Sequence, residues 1–265
     1  MKYVPGGNSG TKKSLGQHWL SDDGMLQAIV EAGGVDEADT VLEIGPGLGT
    51  LTSKISDTGS KVVALEFDKD LLGGLQKKFG SNPNVEIIHG DVRTFDYSSM
   101  NPGYKIIANI PYYLTSNLIR SISEAVNPPS IAVLLIQKEV AERICALPGR
   151  MGILSVTAQF YFECSLDVEV SAEYFTPPPK VDSQVIVLKR RNGKMFDVDE
   201  ESFFGLVKAG FAEKRKTLHN SLSRKLSIPK EDIGALLAAI GLKPTVRAQE
   251  LSMDDWHKLF VEYTK

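Results

Sequence analysis

Thr40-Val41-Leu42-Glu43-Ile44-Gly45-Pro46-Gly47-Leu48-Gly49 reads as a strand that runs straight into a glycine-rich turn. Thr40–Ile44 is almost continuously apolar, as strands covered on both faces are. Glycines at the turn let the chain reverse sharply and let a ligand approach the backbone. The same strand pattern recurs downstream at Lys61–Leu65, Val85–His89, Lys105–Ala108 and Ile131–Ile136. Amphipathic stretches lie between and after these strands, at Leu48–Asp57, Asp68–Phe79, Ser116–Val126 and Lys138–Leu147. The alternation predicts an α/β fold, a doubly wound parallel sheet with helices on both faces. A last pair of strands is expected around Phe160–Val170 and Gln184–Lys189. Thr176–Ser183 between them carries three consecutive prolines, which cannot join a central ladder and must form a rigid loop.

After Lys189 the pattern changes. Arg190–Lys194 is a polar hinge, and Asp199–Phe211, Lys214–Leu226, Lys230–Ile240 and Ser252–Tyr263 each place apolar residues at helical spacing. Pro229 starts a helix, Gly241 follows one, and Ser252 with Asp255 forms a capping box. Two domains are expected, a sheet domain over residues 1–189 and a small all-helical one over residues 190–265.

Composition narrows the function classes. The chain has 265 residues, 42% hydrophobic and 24% charged, which excludes a disordered or fibrous protein. Its densest apolar run, Ile131–Ile136, is far shorter than the ~20 residues a membrane helix needs. The N-terminus lacks an apolar signal region, and Cys145 and Cys164 lack ligand spacing, so reduced thiols, no metal and a cytoplasmic location are expected. Residues from Arg190 onward carry a net +3 and the rest −6. That balance permits a polyanionic partner without requiring one.

The glycine turn alone does not choose a ligand. A dinucleotide fingerprint wants Gly or Ala where Thr50 stands, and a pyrophosphate would be repelled by Glu43. Glu66 ends the second strand, twenty-one residues past Gly45, where a carboxylate accepts bonds from both ribose hydroxyls. Asp91, followed by Val92, ends the third strand, where an acceptor reads an adenine amino group. Such a set suits a nucleoside without phosphates, and S-adenosylmethionine (SAM) fits better than NAD. Gly45, Gly47, Glu66, Asp91 and Val92 are therefore the expected cofactor contacts.

The fourth strand ends in Asn109-Ile110-Pro111-Tyr112, which resembles the signature of methyltransferases acting on amino groups of nucleic-acid bases. Three further blocks narrow the likeness. Ser14-Leu15-Gly16-Gln17-His18-Trp19-Leu20 resembles an N-terminal SLGQ-N/H-F-L block, with Trp19 in place of the commoner Phe. Phe175–Ser183 is similar to an F-x-P-x-P-x-V-x-S loop, and Lys214–Leu222 to an RRK-T-L-x-N-x-L helix start. Together these resemble the KsgA-type family of small-subunit ribosomal RNA adenine N6,N6-dimethyltransferases, which have a Rossmann-like SAM-dependent domain.

The resemblance implies dimethylation of two adjacent adenosines in a hairpin loop near the 3′ end of small-subunit rRNA, by a monomer that takes part in ribosome biogenesis. Asn109 and the Ile110 carbonyl would accept the two N–H groups of the target amine, with Pro111 fixing the second acceptor. Tyr112 would stack on a flipped base and Phe175 would cover its other face. Gln17, His18 and Leu20 would fold over the cofactor as a lid, with the His18 imidazole on the methionine carboxylate and Asn109 also bordering the cofactor. Lys189, Arg190, Arg191, Lys214, Arg215 and Lys216 would contact RNA phosphates, and His89, His219 and His257 are expected to be structural. Three alternatives remain: a macrolide-resistance type of large-subunit methyltransferase, a non-catalytic assembly or transcription factor of the same fold, and a nicotinamide oxidoreductase.

Overall fold

The structure is a computed structural model and describes residues 17–265 apart from Lys214, with Tyr112 described by its backbone alone. The chain opens with a short strand β1 (Trp19–Leu20) and a helix α1 (Asp23–Ala32) whose N-cap, Asp22, accepts a bond from the Met25 amide at 2.9 Å. There follow β2 (Thr40–Ile44), α2 (Thr50–Ser56), β3 (Lys61–Glu66), α3 (Lys69–Phe79), β4 (Val85–His89), β5 (Lys105–Asn109), α4 (Thr115–Glu124) and β6 (Ile131–Gln137). After α5 (Lys138–Ile144), α6 (Ile153–Tyr161), β7 (Phe162–Val170) and β8 (Phe175–Thr176), the strand β9 (Ser183–Arg190) completes the sheet.

The seven-stranded sheet has the order β4-β3-β2-β5-β6-β9-β7. The first five strands in that order are parallel, and β9 runs antiparallel to β6 from Ile131↔Lys189 to Gln137↔Ser183. The apolar runs in the sequence are what make the central strands buried on both faces: Val41, Leu42, Ile106, Ile107, Val133 and Leu134 have no exposed surface. The order reverses between β2 and β5, and at such a switch point the strand ends splay apart to leave a crevice.

Contacts divide the chain into two compact units. One holds the described residues up to Ala141 together with Glu163–Arg190; the other holds Glu142–Phe162 and Arg191–Lys265. The second unit contains α6, α7 (Glu200–Phe211), α8 (Leu218–Leu226), α9 (Lys230–Ala239) and α10 (Met253–Tyr263). Its core is aromatic, with the Phe160 ring 5.3 Å from Phe203, Phe203 5.6 Å from Phe260, and Trp256 fully buried. Among the described residues no helix is long and apolar enough to cross a membrane.

Three differences from the sequence expectations have physical causes. The single cut after Lys189 would leave residues 142–162 with the sheet, whereas Phe160 packs among Phe196, Phe203 and Phe204, which ties this stretch to the helices. The expected strand from Phe160 begins at Phe162, because α6 precedes it. In α6 the polar Ser155, Thr157 and Gln159 alternate with the buried Val156, Ala158 and Phe160, a period of two that reads as a strand and not as a helix. The helix expected from Lys214 starts at Leu218, where Thr217 caps it through the Asn220 amide. Arg215 and Lys216 thus precede that helix rather than lying on it.

Candidate active site

The ends of β2, β3, β4 and β5 border one cleft of about 1160 Å³, counting the space open to solvent. The glycine turn forms its floor. Gly45 has φ +70 and a Cβ there would meet nothing within 4 Å, so the backbone faces open space. Gly47 has φ +59, a left-handed conformation that side chains resist. Its amide donates to Glu66 Oε2 at 3.0 Å, and Asp68 donates to Glu66 Oε1 at 2.7 Å. Burial raises the Glu66 carboxyl above the ordinary carboxylate range, and the two amides hold it back.

Glu43 lies beneath, 1% exposed, with Oε2 lacking a hydrogen-bond partner among the described residues. Burial pushes its carboxyl up to about 8, the neighbouring Thr52 side chain opposing and the Glu66 charge adding to the shift. Lys78, which donates to the Gly49 carbonyl at 2.8 Å, counters part of it.

A strap closes one side. Strand β1 pairs antiparallel with β8, Trp19 opposite Thr176 and Leu20 opposite Phe175. Gln17 donates to Asp68 Oδ2 at 3.0 Å, and the Thr50 hydroxyl donates to the Leu20 carbonyl at 3.0 Å. The His18 ring nitrogen Nδ1 donates to the Pro177 carbonyl at 2.7 Å. This anchors the ring to the proline loop. The Asn109 amide nitrogen donates to the His18 carbonyl at 3.3 Å, which orients the amide with its oxygen as the remaining acceptor.

The structure therefore brings Gln17, His18, Leu20, Gly45, Gly47, Glu66, Asp91, Val92, Asn109, Ile110 and Pro111 to one cleft, with Asp91 two residues beyond the end of β4 rather than at it. The Tyr112 side chain lies outside what is described. Phe175 does not line the cleft: it is 3% exposed and belongs to the core with Leu20, Leu26 and Val170. A ring packed on all sides offers no face to a base, so Phe175 does not take the stacking role expected of it. Tyr113, 58% exposed, and Phe67 line the cleft instead. Neither stood out in the sequence, although each directly follows a residue that did.

The basic residues fall on separate units. Lys189 and Arg190 end β9 in the first, while Arg191, Arg215 and Lys216 belong to the second. Arg190 spends one guanidinium donor on the Ser123 carbonyl at 3.4 Å, and Arg191 one on the Gln159 carbonyl at 3.1 Å. Lys214 lies outside the described residues. Lys216 borders a notch with Asn220, Ser223, Arg224 and Lys230, where Glu213 pairs with Arg224 at 2.9 Å. His219 is structural, bonded to the Lys230 carbonyl at 2.7 Å, and His257 stacks on Phe196 at 4.2 Å.

These residues fit a cationic adenosine-based cofactor. The glycine floor has room at Gly45, Glu66 keeps acceptor capacity beyond its two amide bonds, and Asp91 adds a second carboxylate to the walls. The buried Glu43 carboxyl, whose Oε2 lacks a partner among the described residues, leaves a polar group at the floor that a ligand can satisfy.

Known proteins share much of this chain's sequence and fold. A ribosomal RNA small subunit methyltransferase A of Dehalococcoides mccartyi is 40% identical over 258 residues, covering 96% of this chain and 89% of its own. One from Rippkaea orientalis is 39% identical over 259 residues, covering 92% and 94%. Among solved structures, a dimethyladenosine transferase from Plasmodium falciparum superposes with a TM-score of 0.80 at 27% identity, covering 93% of this chain and 98% of that one. The 23S rRNA methyltransferase ErmE superposes with a TM-score of 0.76 at 26% identity, covering 93% and 100%. The family model described as ribosomal RNA adenine dimethylase matches residues 8–265, and the chain belongs to that family.

Proposed function

We propose that the chain transfers methyl groups from SAM to N6 of two adjacent adenosines in a hairpin loop near the 3′ end of small-subunit rRNA, in the cytoplasm during ribosome biogenesis. The observation that carries this reading is the Asn109 amide, turned by its bond to the His18 carbonyl so that its oxygen is the acceptor left at the end of β5. An exocyclic adenine amine is a poor nucleophile because its lone pair is delocalised into the ring. Acceptors on both N–H groups draw the nitrogen toward tetrahedral geometry and free that lone pair. Asn109 Oδ1 supplies one acceptor and the Ile110 carbonyl the other, while Pro111 holds the second rigid and has no competing N–H.

When bound, SAM supplies a methyl carbon activated by its sulfonium. Glu66 holds the ribose, Asp91 reads the adenine amino group, and the strap of Gln17, His18 and Leu20 keeps water from the reacting face. No strong base is needed, because the methylated ammonium surrenders its proton readily to solvent. Tyr112, or the exposed Tyr113 beside it, provides an aromatic surface for the flipped base. Lys189, Arg215 and Lys216 supply charge toward RNA phosphates.

The test is to incubate the protein and labelled SAM with under-methylated small and large subunits separately, and to digest each to nucleosides. Label in dimethyladenosine from the small subunit alone supports the proposal. Label confined to the large subunit would assign the chain to the activity named for ErmE, and no label in either would favour the non-catalytic reading.

A further inference from the structure

Both carboxylate oxygens of Asp91 are engaged by the residue two places on. The Arg93 backbone amide donates to Asp91 Oδ1 at 2.9 Å, and the Arg93 Nε reaches Oδ1 at 3.0 Å and Oδ2 at 2.9 Å. Nη2 reaches Oδ2 at 2.5 Å. These are three N–H donors, the Nε hydrogen being shared between the two oxygens, so both Asp91 oxygens are engaged and about one acceptor position of the carboxylate is left over. Both residues line the cleft, and the Arg93 side chain is 57% exposed. An adenine amino group that is to be read by Asp91 therefore meets an acceptor already in use.

We propose that Arg93 is a latch on the adenine-reading carboxylate, displaced by the cofactor's amino group, so that this ion pair sets the cofactor affinity of the chain. The proposal rests on the reading of the cleft as a SAM site with Asp91 at the adenine. The exposure of Arg93 makes displacement feasible. Ion pairs in water are weak, because solvent screens them and holding two side chains together costs entropy. A released guanidinium regains hydration at once, whereas a buried one would not. The backbone amide of Arg93 need not move, so only the side-chain contacts are exchanged.

The latch differs in sign from a positioning role. If Arg93 merely oriented the carboxylate, its loss would weaken binding; as a competitor, its loss strengthens it. Arg93→Met keeps the apolar stem and removes the donors. S-adenosylhomocysteine is the probe, since it lacks the sulfonium charge that Arg93 would repel in SAM. Titration calorimetry on the whole chain should show Arg93→Met binding this probe about two- to fivefold more tightly, the size of an exposed ion pair. An analogue of the probe whose purine lacks the 6-amino group should bind both proteins equally. In an Asp91→Asn background, Arg93→Met should have no further effect.

Unchanged or weaker binding of S-adenosylhomocysteine by Arg93→Met, with an unaltered melting curve, would overturn the latch. So would an equal gain for the analogue without the amino group, because the effect would then be general charge or bulk. Failure of the unsubstituted chain to bind S-adenosylhomocysteine at all would instead remove the site reading beneath it.

Discussion

The indole of Trp19 lies on the α-carbon of Gly47: a methyl group added there would stand 2.2 Å from ring carbon Cζ3. The strap and the glycine floor are therefore in contact through a position that tolerates no side chain. Glycine is required at this turn twice over, once for its φ of +59 and once for the ring above it.

Gly47→Ala should destabilise the protein by about 1–3 kcal/mol, combining left-handed strain with the clash. Adding Trp19→Ala should recover only the steric part. Denaturant titrations of the single and double variants separate the two, and a Gly47→Ala protein as stable as the unsubstituted one would contradict this packing.

Glu66→Ala should weaken S-adenosylhomocysteine binding by about 1.5–3 kcal/mol, the usual size of a hydrogen bond to a charged group. The carboxylate also anchors the Gly47 and Asp68 amides, so the melting temperature should fall as well. Glu66→Gln retains one acceptor oxygen and should lose less of both. Unaltered affinity in Glu66→Ala, measured by calorimetry, would remove the ribose assignment.

Asn109→Ala should lower single-turnover methylation about a hundredfold or more while changing cofactor affinity by a factor of a few at most. The opposite pattern, normal turnover with lost affinity, would place Asn109 on the cofactor side. Rapid-quench assays beside binding isotherms distinguish them.

Glu43 should make stability pH-dependent. Its carboxyl sits at about 8 in the folded chain against an ordinary 4.5, so between these values the folded state holds a proton that the unfolded state has released. Stability from this group is full below the lower value and is lost as pH rises through the upper one, by at most about 1.4 kcal/mol per pH unit. Glu43→Gln stays neutral and should melt progressively higher than the unsubstituted protein from about pH 5 to about pH 9. Parallel melting curves across that range would show that Glu43 is not held neutral.

Replacing Lys214, Arg215 and Lys216 together with Glu should weaken binding to small subunits, flatten its salt dependence because fewer counterions are released, and spare cofactor binding. Affinities across a salt series decide the matter. Equal, parallel curves for both proteins would show that these residues face only solvent.

The sheet was legible because its strands are short apolar runs between amphipathic stretches, and β2, β4 and β6 fall within a residue or so of expectation. Glu66 and Asn109 were legible for a related reason: a polar residue ending a buried strand points into the crevice, whereas Asp91 stands two residues past the edge strand β4. Other features left no local trace. The pairing of β1 with β8 depends on chain far away, and α6 sets Ser155, Thr157 and Gln159 at every second position, which hides its helical period. Phe175 looked like a stacking ring from its motif, yet its register opposite Leu20 turns it into the core. The arginine on Asp91 was visible as a letter and not as a contact.

The strap's attachment has a consequence for how the protein is made. His18 reaches Pro177 across 159 positions, and Trp19 and Leu20 find their strand mates only at Thr176 and Phe175. A growing chain on the ribosome presents the glycine floor, Glu66, Asp91 and Asn109 long before β8 emerges. Contacts of such long range close late and slowly, since the intervening loop must be ordered first. Nascent chains therefore pass most of their synthesis with the cleft open on the strap side, until about two thirds of the chain has been translated.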